Sequence, residues 1–245
     1  MQLAYLSAVR RVLDHLESTQ AEAIERAADL AAHALTHGGA VFCAEIGHAN
    51  QQDFLNRAGG LAALQPFSFA FSLTDPVADS LQDRPRQDPI DREMETVRLA
   101  VRTSSLRAGD VLLVGSVSGR NVRPVELALA CRGAGVHVVG FTSLAYTRRV
   151  ESRHPSGKRL FEVVDVVIDN GAPYGDAAVT LPGIEANVLP VSGVAMTVAG
   201  WLVWETVMRK MAAAGDPPTT FVSVNREGGP ERYRQSREAY NERGY

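Results

Sequence analysis

Apolar residues recur every three or four positions over the first 36 residues. Leu3, Leu6, Val9, Leu13 and Leu16 form one set, and Ala23, Ile24, Ala27, Ala28, Leu30, Ala31, Ala34 and Leu35 form a second. That spacing predicts two helices within residues 2–36. Ser18-Thr19 followed by Glu22 resembles a capping box opening the second helix, and Gly38-Gly39 stops it. Short apolar runs then predict strands at 40–44, 67–73, 111–115, 136–142 and 163–168, with a last short one at 221–224. Helical patterns lie between them at 51–58, 94–106 and 122–133. A long apolar helix with Trp201 and Trp204 covers 191–214. Residues 74–92 carry Asp, Pro, Arg and Gln without a hydrophobic period and read as a loop.

Strands alternate with helices, and the strands are Val-rich with little alternation. The fold class is therefore α/β, with a parallel sheet covered on both faces. Ligands of such sheets sit at the carboxyl ends of the strands. The loops after the strands at 40–44, 111–115 and 163–168 hold Gly47 and His48, then Ser116 to Asn121, then Asn170-Gly-Ala-Pro-Tyr-Gly-Asp176. All three face one rim. The most informative is the segment from Val111 to Ala130, which reads strand, Ser/Gly turn, helix. Pro124 in an early helical turn suits the helix start. A helix N-terminus carries unpaired N–H groups and partial positive charge, so it attracts an anion. Ser116 and Ser118 would add hydroxyl donors, and Gly119 lets the backbone approach closely. The turn reads as a phosphate cradle; on local pattern alone, a plain strand-to-helix turn with an N-cap fits equally well. It lacks the Gly-Lys-Ser/Thr ending of a P-loop and the three glycines of a dinucleotide fingerprint.

The 245 residues suffice for one large α/β domain with a helical addition: an N-terminal helical segment at 1–38, the ligand-binding domain at 39–229 and a polar C-terminal tail at 230–245. Net charge is −3, and no basic run suggests nucleic acid, so anion binding must come from local groups. Cys43 and Cys131 sit in apolar surroundings and read as two buried thiols of a reducing compartment. No Cys/His spacing resembles a metal site, and no cofactor is implied. Without a signal segment or an apolar run long enough to span a bilayer, the protein is expected to be cytoplasmic and off the membrane.

At this point the chain resembles the sugar isomerase (SIS) domain family of phosphosugar-binding proteins. The family's Ser-x-Ser-Gly-x-Ser/Thr loop is matched by Ser116-Val-Ser-Gly-Arg-Asn121, and the order of flanking features agrees from about residue 3 to about residue 229. An uncharacterised bacterial subgroup is the nearest likeness, through Arg57-Ala-Gly-Gly-Leu61, Thr142-Ser-Leu-Ala-Tyr-Thr147, Asn170-Gly-Ala-Pro-Tyr-Gly-Asp-Ala177 and Pro190-Val-Ser192. The resemblance implies a three-layer αβα sandwich with a five-stranded parallel sheet, assembled as a homodimer or homotetramer. It implies that Ser116, Ser118 and Asn121 donate side-chain hydrogen bonds to a sugar phosphate, and that the N–H groups of Gly119 and Arg120 complete the cradle. Gly47, His48, Asn170 and Ser192 are further candidates for substrate contact. Trp201, Trp204 and the N-terminal helices are candidates for the subunit interface; an intrachain core is the equal alternative.

Aldose–ketose isomerisation needs a base to move a proton between C1 and C2. The sedoheptulose-7-phosphate isomerase branch uses a Glu after the first strand and a His on the last helix. Here Asp53 occupies the Glu position, and residues 191–214 contain no His. Asp53, His48 and Glu45 are the catalytic candidates, Glu45 standing where the subgroup carries glycine. His154 is a substitute in principle, and Glu126 reads as structural. Three functions compete: a phosphosugar isomerase acting on an amino- or N-acyl-sugar phosphate, a non-catalytic phosphosugar sensor, and a lyase of the N-acetylmuramic acid 6-phosphate etherase type.

Overall fold

A computed structural model of the chain describes residues 3–44, 51–85 and 91–245. Its main sheet has five parallel strands: β1 (Val41–Ala44), β2 (Leu64–Phe67), β3 (Val111–Gly115), β4 (His137–Thr142) and β5 (Val166–Asp169). The spatial order is β2-β1-β3-β4-β5. From β1 the chain moves outward to β2, then returns to the other side of β1 and runs outward through β3, β4 and β5. The direction of winding reverses between β1 and β3, which makes their carboxyl ends the topological switch point, where ligands of such sheets bind.

Successive strand residues point to opposite layers. Val111 and Leu113 join the core under α1 (Ala4–Thr19), α2 (Ala21–Thr36) and α7 (Ser192–Ala213), with Leu16, Ile168, Val203 and Trp204. Leu112 and Val114 join the second core under α4 (Arg92–Thr103) and α5 (Val122–Gly133), with Val97, Leu127 and Val138. Both faces are covered, which is why the strands show little alternation. Trp204 is fully buried in this chain's own core, and half-buried Trp201 packs edge-on against Phe54. Both cysteines are free and buried, and burial pushes each thiol up to about 12.

Several boundaries differ from the expected ones. The strand expected at 67–73 lies at Leu64–Phe67, paired with β1 from Leu64 on Val41 to Phe67 on Ala44. Pro66 is tolerated there because β2 is an edge strand. The helix expected at 51–58 is the single turn α3 (Gln51–Phe54). No capping box opens α2: Gln20 is its N-cap, and the Ser18 and Thr19 hydroxyls bond back to carbonyls of Asp14 and His15. Residues 221–224 form no strand; Phe221 instead exchanges backbone hydrogen bonds with Gly59 and Gly60. The polar tail forms helix α8 (Gly229–Arg243), anchored where Tyr233 stacks on Phe221 and Ser236 donates to the Thr220 carbonyl. Between β5 and α7, β6 (Ala177–Val179) and β7 (Val188–Pro190) form an antiparallel hairpin that the pattern did not announce. Among the described residues, no helix is long and apolar enough to cross a membrane.

Candidate functional site

The turn after β3 is held from behind. Ser116 N–H donates to the Phe141 carbonyl at 2.9 Å, continuing the ladder one step past β3. Gly119 N–H closes the turn on the Ser116 carbonyl at 3.1 Å, with Gly119 at φ +61°. A Cβ at Gly119 would stand 2.8 Å from Thr147 Oγ1 and 3.1 Å from Thr142 Oγ1, so glycine is required by both conformation and space. The carbonyls of Val117, Gly119 and Arg120 are engaged: Val117 accepts from Ser143 N–H (3.0 Å) and Thr142 Oγ1 (3.2 Å), Gly119 from Leu160 N–H (2.8 Å), and Arg120 from Arg153 N–H (2.8 Å).

The donors are not engaged. Among the described residues, the side chains of Ser116, Ser118 and Asn121 and the N–H groups of Ser118, Arg120 and Asn121 have no hydrogen-bond partner. Gly119 N–H, expected to serve a phosphate, is instead used inside the turn. Asn121 is the N-cap of α5, yet its side chain makes no capping bond, and the helix has no acidic residue in its first turn. Arg123 lies in that turn, with Nε 4.0 Å from Glu93 and its guanidinium 5.4 Å from the Phe69 ring. Ser116 is nearly buried and Asn121 exposed, so the donor set runs from the floor of the turn to solvent. Such a helix N-terminus favours an anion through its dipole and its unpaired donors together.

The N-terminus of α7 is the opposite case. Asp176 Oδ1 accepts from Val191 and Ser192 N–H (3.2 and 2.9 Å), and Ser192 Oγ donates to Asp176 Oδ2 at 2.6 Å. The chain's own carboxylate fills that helix end, and Ser192 is buried within the cap. Asn170 is fully buried; its Oδ1 accepts from Ala172 N–H at 3.0 Å, while Nδ2 has no partner.

Asp53 stands on α3. Its Oδ2 lies 3.3 Å from Thr197 Oγ1 of α7, a hydroxyl that also reaches the Gly193 carbonyl at 2.9 Å. Two contacts fix α3: Gln51 Nε2 donates to the Cys43 carbonyl at 2.6 Å, and the Phe54 ring sits over Gly200, where a Cβ would come within 2.2 Å of it. Glu45, Gly47 and His48 lie outside the described residues. No group of three or more His, Cys, Asp or Glu side chains among the described residues could hold a metal ion.

Sequence reasoning treated Glu126 and His154 separately, but the fold pairs them. His154 Nε2 lies 2.8 Å from Glu126 Oε2, both side chains almost fully buried, and Arg98 Nε donates to Glu126 Oε1 at 2.6 Å. One signal was available: Glu126 stands between Val125 and Leu127 on an apolar helix, where a carboxylate needs partners. A second missed pair joins His15 of α1 to Asp169 at the end of β5, at 3.2 Å.

The SIS domain family model matches residues 4–143. A UPF0309 protein of Shouchella clausii is 33% identical over 246 residues, covering 97% of this chain and 92% of the relative. One of Streptomyces coelicolor is 34% identical over 243 residues, covering 98% and 94%. Among solved structures, a phosphoheptose isomerase from Neisseria gonorrhoeae aligns with a TM-score of 0.52 at 19% identity, over 83% of this chain and 95% of that one. A phosphoheptose isomerase from Francisella tularensis gives 0.51 at 13% identity, over 83% and 94%. At that identity the structures attest to the shared fold, and the sequence matches carry the family: this chain belongs to the SIS domain family, among the UPF0309 proteins.

Proposed function

We propose that the protein binds a phosphorylated sugar, with the phosphate seated at the N-terminus of α5. The observation that carries this is the set of unfilled donors on Ser116, Ser118, Arg120 and Asn121, at a helix end where the carbonyls of Ser116, Val117, Gly119 and Arg120 are already engaged. A phosphate offers acceptors and no compensating donors, which suits that set. The reaction read from this site is isomerisation of a sugar phosphate, an amino- or N-acyl-sugar phosphate fitting the same frame. The phosphate would be anchored beyond β3, and Asp53 on α3 would act as the carboxylate base that shuttles a proton between C1 and C2. Thr197 would orient that carboxylate through its hydroxyl.

A sensor without chemistry is the second reading, and one observation favours it: α7 presents Thr197, not a histidine, to Asp53. The two free, buried thiols suit a cytoplasmic protein. Assembly as a homodimer or homotetramer through α1 is part of the proposal, because Leu3 and Leu6 stand about half exposed on it.

A thermal shift series tests the binding claim. Hexose, heptose and N-acetylamino sugar phosphates raise Tm, the parent sugars do not, and Ser118→Ala blunts the shift. No shift from any phosphosugar in folded protein overturns it. Product assays on the hits with Asp53→Asn separate the two readings: an isomerase loses turnover and keeps binding, whereas a sensor shows no turnover in either form.

A further inference from the structure

The segment 151–160 runs directly behind the β3 turn. Two of its N–H groups, from Arg153 and Leu160, hold the carbonyls of Arg120 and Gly119 at 2.8 Å each. The Gly119 carbonyl shares a peptide plane with the free Arg120 N–H, and the Arg120 carbonyl shares one with the free Asn121 N–H, so holding the two carbonyls decides where those N–H groups point. The strap therefore sets the aim of the donors, and what holds the strap becomes part of the site.

His154 holds it. Its Nδ1 accepts from Ser156 N–H at 3.1 Å and lies 2.7 Å from Ser156 Oγ, closing a tight turn within the strap. With the Nδ1 lone pair so used, the ring proton sits on Nε2 and donates to Glu126 Oε2 at 2.8 Å. Glu126 lies on α5, the helix whose N-terminus forms the cradle, and is 4% exposed. Its other oxygen is tied to Arg98 of α4, which also reaches Glu95 at 2.7 Å. Strap, cradle helix and α4 thus meet at one buried carboxylate.

We propose that His154 is a positioning residue for the phosphate turn: through Nε2 and Glu126 it locks the 151–160 strap to α5 and so fixes the direction of the turn's free donors. This rests on the reading of that turn as a phosphate site. His154 itself does not touch the ligand. Its buried position and its partners on both ring nitrogens leave no free lone pair for proton transfer.

The two nitrogens can be tested apart, because Asn reproduces the reach of Nδ1 and Gln that of Nε2. His154→Asn keeps the strap turn and loses the tether to Glu126; His154→Gln keeps the tether. Titration calorimetry well below Tm measures Kd for glucose 6-phosphate and inorganic phosphate, with circular dichroism checking the fold. The expected result is a Kd raised about fivefold or more in His154→Asn and held within about twofold in His154→Gln. An unchanged Kd in folded His154→Asn, with only Tm lowered, assigns the pair to stability and overturns the proposal. So does a loss in His154→Gln as large as in His154→Asn. Wild-type protein that binds neither phosphate nor any phosphosugar overturns the phosphate reading itself, and the proposal with it.

Discussion

Gly119→Ala is the sharpest test of how the turn is built. The residue sits at φ +61°, and an L side chain there costs about 1–2 kcal/mol in backbone conformation alone. The new Cβ would also stand 2.8 Å from Thr147 Oγ1 and 3.1 Å from Thr142 Oγ1, both on fully buried residues. Neither hydroxyl has room to retreat, so overpacking adds about 1–3 kcal/mol. The expected loss is about 2–5 kcal/mol. At a urea m-value of about 2 kcal/mol per M, the unfolding midpoint falls by about 1–2.5 M. Thr147 Oγ1 has no hydrogen-bond partner, so Thr147→Ala by itself should cost little. In the double variant the steric part of the penalty returns and the backbone part remains, giving a coupling of about 1 kcal/mol or more between two residues 28 positions apart. Equilibrium urea unfolding of the four proteins, followed by circular dichroism, reads all of these values. A Gly119→Ala midpoint within error of wild type would refute the argument that the left-handed turn and the hydroxyls behind it are what shape the cradle.

Two further predictions concern other parts of the fold. Gly200→Ala drives a Cβ into the Phe54 ring, so it lowers Tm and raises protease cleavage near α3, whereas Ala199→Gly on the same helix leaves α3 protected. Burial holds the Cys43 and Cys131 thiols protonated in the folded state up to about 12, against an ordinary value of 9.0 for a free thiol. Between those values the unfolded chain has lost these protons and the folded chain has kept them, so stability falls as pH rises, by about 1.4 kcal/mol per pH unit per thiol. Alkaline unfolding should accordingly be less steep in Cys131→Ala than in wild type, and neither thiol should react with a thiol reagent in native protein at pH 8.

What could be read from the chain was local. The 111–115 run, the Ser116–Asn121 turn and α5 were legible because strand, glycine turn and helix start are each specified by neighbouring residues, and α5 spans Val122–Gly133 as expected. The α/β class was legible for the same reason, since unalternating Val-rich strands between helices require a sheet covered on both faces. The misjudged segments depend on distant partners. The edge strand's place is set by its pairing with β1, Leu64 on Val41 through Phe67 on Ala44, and Phe221 pairs with Gly59 and Gly60 because the chain returns there. The same division runs through the site. Sequence nominated the Ser116–Asn121 turn as a phosphate cradle, and the family resemblance nominated Asp53 as a base. Tertiary structure decided that the α7 end is filled by Asp176 while the α5 end is open, that Gly119 N–H is spent inside the turn, and that Glu126 meets His154. Hydrogen-bond satisfaction is a property of the closed fold: a donor's freedom depends on which acceptors the rest of the chain brings within reach of it.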